Sequence, residues 1–193
     1  MTHLPNLGWC LRETFLKAKG NTTITLDVNS TNYLFGAVSE GDCRLIVGAF
    51  KQYISESDLP VKEKVLASPI LEEYKYHVTL LYPSENSLNL AAKTLNIEIP
   101  EKQSKKQRSQ LNSSIFRELR SKYQTVEMTF GDNAFLTTDG ELAGIEMKFT
   151  THSMFADLDP DKVFHITLIH NRDVEERAPM YSNVFLKNLT QEQ

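Results

Sequence analysis

One pattern occurs twice in the chain, as Tyr76-His-Val-Thr-Leu-Leu-Tyr82 and again, 88 residues later, as Phe164-His-Ile-Thr-Leu-Ile-His170. Polar and aliphatic residues alternate in both copies, as they do in a β-strand whose two faces meet different surroundings. The histidine and the threonine two positions later then point to one side, and the aliphatic residues point to the other. The sequence therefore predicts two buried strands that each present an imidazole and a hydroxyl on the opposite face.

Chance alone gives this pattern rarely. The chain contains 16 Thr and 23 Leu among 193 residues. A given His is then followed by Thr two positions on and Leu three positions on in roughly one case in a hundred. Two of the five histidines show the pattern. One copy alone is compatible with a histidine satisfied on an edge strand, whereas two copies favour a shared functional role.

Hydrophobic periodicity along the rest of the chain predicts an α+β fold. About eight strands and three or four helices are expected, and their pairing is expected to be mostly antiparallel because many strands follow one another directly. The predicted helices cover residues 9–19, 58–72, 88–95 and 109–123. The predicted strands cover residues 22–28, 33–38, 43–50, 74–82, 126–130, 134–138, 141–149, 163–170 and 182–189.

Glycine and proline predict where several of these elements end. Gly20 is expected to stop the first helix, and the segment Glu40-Gly-Asp is expected to form a turn between two strands. The dipeptide that begins at Asp139 is Asp-Gly, which predicts a hairpin because glycine tolerates the positive φ of such a turn. Pro69 predicts a break in the helix expected at 58–72.

Composition and charge limit the classes of function. The net charge of −4 argues against broad non-specific binding to a nucleic-acid backbone, but it leaves recognition of one phosphate or one nucleotide end open. The two cysteines, Cys10 and Cys43, cannot make a disulfide framework, so an intracellular location, cytoplasmic or nuclear, is expected. No secretory signal and no apolar run of membrane-spanning length is recognised, so no membrane partner is expected.

The chain is interpreted as a single domain over residues 1–193, and a monomer is favoured. Residues 1–30 are interpreted as an N-terminal helix and strand that either cap a sheet or lead in from another domain. The polar run at 101–114 is interpreted as a solvated helix entrance or loop, with a guide for an RNA backbone as the alternative. The basic side chains of that run are Lys102, Lys105, Lys106 and Arg108.

Two imidazoles and two hydroxyls on a shared cleft suit the hydrolysis of a phosphodiester. One histidine can take a proton from water while the other protonates the leaving oxygen, and each such transfer contributes roughly 10²–10⁴-fold. Threonine hydroxyls can donate hydrogen bonds to the phosphoryl oxygens as charge redistributes. The sequence has neither Cys-X-X-Cys nor His-Glu-X-X-His, so no metal or other cofactor is expected.

The paired His-X-Thr segments resemble the two motifs of the two-histidine (2H, or LigT-like) phosphoesterase superfamily. The resemblance extends over residues 33–190 and depends on both copies together. It implies a bilobal α+β fold of mostly antiparallel sheets, with one motif strand per lobe and a central cleft. It also implies an acid/base pair, with His77 as acid and His165 as base, and it implies that Thr79 and Thr167 bind the phosphate.

A finer resemblance concerns the segment from Phe164 to Arg172. It is similar to the second motif of the cyclic phosphodiesterase domain in fungal and plant tRNA ligases, which opens 2′,3′-cyclic phosphate ends to a 2′-phosphate and a 3′-hydroxyl. The chain lacks the Gly-X4-Gly-Lys-Ser/Thr loop of a kinase. It also lacks the Lys-X-Asp-Gly nucleophile of a ligase, because its one Asp-Gly has Thr137 in the lysine place. The resemblance thus implies that domain alone, acting on an RNA end in tRNA splicing or RNA repair.

Two alternatives share the same residues. One is a phosphodiesterase that acts on a cyclic oligonucleotide or a 2′-5′ linked oligoadenylate, since the motif does not encode the base or the linkage. The other is a nucleotide-binding module without catalysis, against which the presence of both histidines speaks. In each case the expected partner is an RNA end or a small nucleotide.

Several further side chains are candidates for substrate contacts. A nucleobase needs an aromatic platform for stacking, and Tyr82, at the end of the first motif strand, is the first candidate, with Tyr33 and Phe35 as alternatives. Arg172, beyond the second motif, can reach a phosphate. His170 lies five residues after the second motif histidine, so alternation puts it on the opposite face unless the strand has ended.

Overall fold

The computed structural model of the chain describes residues 1–192 and has a mixed α+β architecture. The expected α+β class and the mostly antiparallel pairing are confirmed. The strands in the described range are β1 (Thr2–His3), β2 (Thr23–Ser30), β3 (Leu34–Ala37), β4 (His77–Leu81), β5 (Thr125–Leu136), β6 (Ala143–Phe149) and β7 (His165–Ile169). The α-helices in that range are α1 (Leu7–Lys19), α2 (Glu40–Ser55), α3 (Lys62–Leu66), α4 (Glu85–Thr94), α5 (Lys105–Lys122), α6 (Met154–Leu158) and α7 (Ser182–Glu192).

Six of these strands close into a ring in the order β5-β2-β3-β4-β7-β6, with β6 pairing again to β5. The short strand β1 joins β5 outside the ring. The ring can close because β5 is long, with 12 residues. The first half of β5 pairs with β2, and both halves of β5 pair with β6. The two strands expected at 126–130 and 134–138 are therefore one strand, with a bulge between Phe130 and Ala134.

The sheet has an apolar face and a polar face. In β2, Ile24, Leu26 and Val28 are buried, whereas Thr25 and Asp27 between them are exposed. Most of the buried apolar side chains of the strands form one core cluster with apolar residues of α1, α2 and α5. Directly paired residues lie on the same side of a sheet, so the polar face of β2 continues across the neighbouring strands.

The first 30 residues contribute directly to this core. Leu7, Leu11 and Phe15 of α1 are fully buried, and the ring of Phe15 lies 5.3 Å from that of Phe130 in β5. The helix ends at Gly20, as expected, because Gly20 adopts a φ of 82° and its N–H donates to a carbonyl of the preceding turn. The strand that follows, β2, lies inside the ring between β5 and β3.

The strand expected at residues 43–50 is wrong, because this segment lies in the middle of α2. Its buried residues recur at helical spacing, as Cys43, Ile46 and Phe50 illustrate. The turn expected at residues 40–42 is the first turn of the same helix, and the Ser39 hydroxyl accepts a hydrogen bond from the N–H of Asp42. A continuous apolar run fits a buried helix as well as a buried strand. The N-cap hydrogen bond at Ser39 favours the helix here.

The strand expected at residues 182–189 is also wrong, because this segment forms α7. Ser182, Leu186 and Leu189 are buried at spacings of four and three residues, which is the period of a helix face. The helix covers a small second cluster of buried apolar residues that includes Phe135 of β5.

The other expected strands and helices lie within a few residues of their predicted positions, but residues 1–192 contain seven α-helices where three or four were expected. The helix expected at 58–72 is divided into α3 and a 3-10 turn that starts at Pro69, which confirms the predicted break. The hairpin between β5 and β6 turns at residues 139–140, where Gly140 has a φ of 74°. The basic run enters α5, whose N-cap is Ser104. None of the helices within residues 1–192 is long and apolar enough to cross a membrane.

Candidate active site

The two motif strands, β4 and β7, are antiparallel neighbours, and the central residues of the motifs, Val78 and Ile166, are paired. This antiparallel register places His77 opposite Thr167 and Thr79 opposite His165. The two histidines are therefore diagonal neighbours across the strand pair. Cβ atoms are about 5 Å apart at directly opposed positions, and diagonal neighbours are about 7–8 Å apart, with their Cβ atoms somewhat closer. The side chains that meet on this face are His77, Thr79, His165 and Thr167.

Burial along both strands follows the predicted alternation. The four motif side chains are half-buried, whereas the aliphatic residues between them are buried. The aromatic residues that precede the histidines, Tyr76 and Phe164, are also buried and belong to the core, as expected. The Tyr76 hydroxyl donates a 2.9 Å hydrogen bond to the carbonyl of Leu168, so the lead into β4 is tied directly to β7.

The imidazole of His165 is held by the backbone. Its Nδ1 lies 2.8 Å from the carbonyl oxygen of Val163, and a neutral ring that donates through Nδ1 carries its lone pair on Nε2. Burial lowers the pKa of His165 to about 4; the positive charges of Lys162 and His77 act in the same direction, and the hydrogen bond to Val163 opposes them. At neutral pH this ring is therefore uncharged and can accept a proton.

The imidazole of His77 is held by side chains. Its Nε2 lies 3.3 Å from the hydroxyl of Tyr33, and the rings of Tyr33 and Phe35 lie 5.9 Å and 5.6 Å from it. Both aromatic residues come from the region of β3, where Phe35 is paired with Thr79. Of the aromatic candidates, the structure brings Tyr33 and Phe35 to the histidine pair.

Basic residues before and after the second motif act electrostatically on His77. Burial lowers the pKa of His77, and the charges of His170, Arg172 and Lys162 lower it further. In a protein whose net charge is −4, the positive charges of Arg172 and Lys162 near His77 favour an anion.

His170 belongs to this group because β7 ends at Ile169, so the alternation that would turn His170 away no longer applies. Burial, followed by the charge of Arg172, lowers the pKa of His170, and the charge of Glu73 raises it. Its Nδ1 is buried and has no hydrogen-bond partner within the described part of the chain.

The two threonine hydroxyls differ. The Oγ1 of Thr167 lies 2.9 Å from the Oγ of Ser182, the fully buried first residue of α7. The hydroxyl of Thr79 makes no hydrogen bond to another residue within 1–192. Thr79 thus has its hydroxyl free for a ligand, and Thr167 is oriented by its partner.

Two candidates lie at the edge of the site. Arg172 is exposed, and its charge reaches both His77 and His170. Tyr82 follows the end of β4 and is 68% exposed, and its ring contacts no other aromatic ring among residues 1–192.

Sequence reasoning missed Lys162 and Ser182. Lys162 precedes β7 in an irregular segment, where strand alternation gives no direction for a side chain. Ser182 reaches Thr167 only through the docking of α7, and the sequence prediction treated that segment as a strand. Neither residue has a local signal that ties it to the motifs.

Residues 1–192 contain no group of three or more His, Cys, Asp or Glu side chains that could hold a metal ion. Comparison with known proteins gave no match to a family model, to a curated protein or to a solved structure.

Proposed function

We propose that the chain is a metal-independent phosphodiesterase of the two-histidine kind that opens RNA 2′,3′-cyclic phosphate ends to a 2′-phosphate, in tRNA splicing or RNA repair. The observation that carries the proposal is the antiparallel pairing of Val78 with Ile166, because it brings two imidazoles and two hydroxyls to one face. The resemblance of the motifs to the 2H phosphoesterases supplies the substrate class. The positive groups around the pair support an anionic substrate.

In the proposed reaction, water attacks the phosphorus in line with the bond to the ribose 3′-oxygen. His165 takes a proton from water through Nε2 as the new P–O bond forms. His77 gives a proton to the 3′-oxygen as the old P–O bond breaks. The products are a 2′-phosphate and a 3′-hydroxyl, and exchange of protons with solvent returns both histidines to their starting states.

The surroundings of the two rings support these roles. His165 has the lower tendency to hold a proton at neutral pH, and its hydrogen bond to Val163 leaves Nε2 as the acceptor that a base needs. His77 needs to be protonated to act as the acid. The negative charge of a bound phosphodiester favours the protonated form of a neighbouring histidine, so substrate itself raises the pKa of His77.

The hydroxyls and cations supply the electrostatic part of catalysis. Thr79 and Thr167 donate hydrogen bonds to the two phosphoryl oxygens that do not take part in the displacement. The guanidinium of Arg172 approaches the phosphate from the His77 side and neutralises part of its charge. Preorganised donors of this kind contribute because they need no rearrangement when charge develops.

We also propose that the molecule has the bilobal organisation of the 2H fold, with β4 in one lobe and β7 in the other. The support is the connectivity: β2, β3 and β4 are consecutive neighbours on one side, β5, β6 and β7 occupy the other, and the motif strands meet between them. The central cleft would then be the polar face on which the four motif side chains lie.

The test is incubation with an oligoribonucleotide that ends in a 2′,3′-cyclic phosphate, in the presence of EDTA, followed by identification of the product end. Opening to a 2′-phosphate is expected from the wild-type chain. His165→Ala is expected to lose this activity, and His3→Ala, which changes an exposed histidine on β1, is the matched control.

Three results would count against the proposal. They are a folded wild-type protein that leaves the cyclic end intact, activity that disappears with EDTA and returns with a divalent cation, and normal activity in His165→Ala. Cyclic dinucleotides and 2′-5′ oligoadenylate belong in the same assay, because turnover of one of them in place of the RNA end would correct the substrate and keep the chemistry.

A further inference from the structure

A groove of about 330 Å³ is lined in part by the residues that directly precede His165 in the chain. It lies between the end of β6 and the segment that leads into β7, and α6 covers part of its length. Its volume is within the range that small-molecule sites occupy. The lining residues that matter here are Glu146, Phe149, His152, Asp159, Lys162 and Phe164.

Lys162 lines this groove in the segment just before β7. Its side chain is half-buried, with Nζ 5.2 Å from the centre of the Phe164 ring. Its positive charge lowers the pKa of both His77 and His165, so the ammonium lies within electrostatic range of both imidazoles. The same residue therefore lines the groove and acts electrostatically on both motif histidines.

The ammonium of Lys162 lacks a counter-ion. No carboxylate within residues 1–192 lies within the 4.0 Å that defines an ion pair with it. Burial lowers the pKa of Lys162 to about 8, and the charge of Asp159 offsets only part of this. Removing a cation from water without pairing it costs free energy, and an anion that enters the groove would recover that cost.

We propose that Lys162 and the groove form a second anion subsite, which takes the phosphate on the 5′ side of the terminal nucleoside. This inference rests on the proposed function. If the histidine pair holds the cyclic phosphate, the next phosphate along an RNA chain is joined to the 5′-oxygen of the same nucleoside. Lys162 is a candidate for binding this phosphate, because its charge acts on both histidines while its side chain lines the groove.

The proposed subsite would give the protein a specific substrate preference. The protein distinguishes an RNA end from a free nucleoside cyclic phosphate by the phosphate that only the RNA end has upstream. The two smallest substrates that differ by this one group are adenosine 2′,3′-cyclic phosphate and its 5′-phosphorylated form. A hydrogen bond between charged partners is worth about tenfold or more in binding.

The experiment measures kcat and KM for both substrates in the wild type and in Lys162→Met, which keeps the length of the side chain and removes its charge. We expect the wild type to prefer the 5′-phosphorylated substrate by about tenfold in kcat/KM, mostly through KM. Lys162→Met is expected to lose this preference, with a change of less than about threefold on the substrate without the 5′-phosphate. Lys93→Met, at an exposed lysine on α4, is expected to keep the wild-type preference.

Two outcomes would overturn the subsite. One is a wild type that does not distinguish the substrates, and the other is a Lys162→Met variant that loses equally on both, which would assign Lys162 to the reacting phosphate. If the wild type opens neither substrate, the proposed function fails and calorimetric binding decides the subsite separately. Tighter binding of adenosine 5′-phosphate than of adenosine in the wild type, lost in Lys162→Met, supports it, and equal binding contradicts it.

Discussion

His77 and His165 occupy equivalent positions on β4 and β7, but their imidazoles are held in different ways. A backbone carbonyl fixes His165 through Nδ1, and burial lowers its pKa to about 4. His77 instead contacts the Tyr33 hydroxyl through Nε2 and is flanked by aromatic rings. Positive side chains act on both rings, but His77 is the one beside His170 and Arg172.

The threonines of the two motifs also lie in different surroundings. Thr167, on the strand of His165, shares a hydrogen bond with Ser182, while the hydroxyl of Thr79 makes none within the described residues. A repeated sequence pattern has thus been placed in two unlike environments. General acid/base chemistry needs this difference, because a base and an acid must hold opposite protonation states at the same pH.

The largest effect is expected from removing either histidine. His77→Ala and His165→Ala should each lower kcat by about 10³-fold on a 2′,3′-cyclic phosphate end, with little loss of folded structure because both side chains are half-buried on the polar face. The measurement is single-turnover hydrolysis, with far-UV circular dichroism to confirm folding.

A change of leaving group separates the two roles. A phosphodiester that releases 4-nitrophenolate needs no acid, so this substrate should restore much of the activity of His77→Ala and little of that of His165→Ala. If both variants recover equally, or only His165→Ala recovers, the assignment of acid and base is reversed or absent.

The next largest effect is the dependence of kcat/KM on pH. His165 must be neutral, which requires a pH above about 4, and His77 must be protonated, which requires a pH below its lowered value. We expect a bell-shaped profile with its maximum below pH 6.5, the usual pKa of histidine, and a fall of about tenfold per pH unit on the alkaline side. A maximum of kcat/KM at or above neutral pH would contradict the proposed difference in pKa between His77 and His165.

His170→Gln tests the electrostatic effect of His170 on His77. It removes a positive neighbour that lowers the pKa of His77, so the alkaline limb of the profile should move to higher pH while the acid limb, set by His165, stays in place. His3→Gln, at an exposed histidine on β1, should move neither limb.

The smallest effect is expected from Ser182→Ala. The substitution removes the partner that orients Thr167 and leaves the threonine itself in place, so kcat should fall by roughly three- to tenfold. Thr79→Val and Thr167→Val should each lower kcat further, because each removes one of the proposed phosphate ligands. Equal activity in Ser182→Ala and the wild type would show that Thr167 does not need its hydrogen bond to Ser182.

The sequence predicted the local geometry of the site well. Strand alternation correctly separated the half-buried motif side chains from the buried aliphatic residues, and it assigned Tyr76 and Phe164 to the core. Alternation is a property of the extended backbone, so it can be read from a few consecutive residues. The turn at Gly140 was predictable for a similar reason, because a positive φ is a local requirement.

The apolar segments of α2 and α7 show where local information is insufficient. Both were predicted as strands, and both are helices that bury residues at helical spacing, such as Ile46 and Phe50 in α2 and Leu186 and Leu189 in α7. A short apolar run satisfies either period, and the choice depends on what the segment packs against.

The sequence by itself determined that two strands would each carry an imidazole and a hydroxyl on one face. Only the tertiary structure decided that these strands are antiparallel neighbours paired about Val78 and Ile166, and that Tyr33, Lys162 and Ser182 surround them. The physical reason is that side-chain direction is fixed by the neighbouring residues in the chain. Cross-strand register and helix docking depend instead on contacts between residues far apart in sequence, which the packing of the whole core selects.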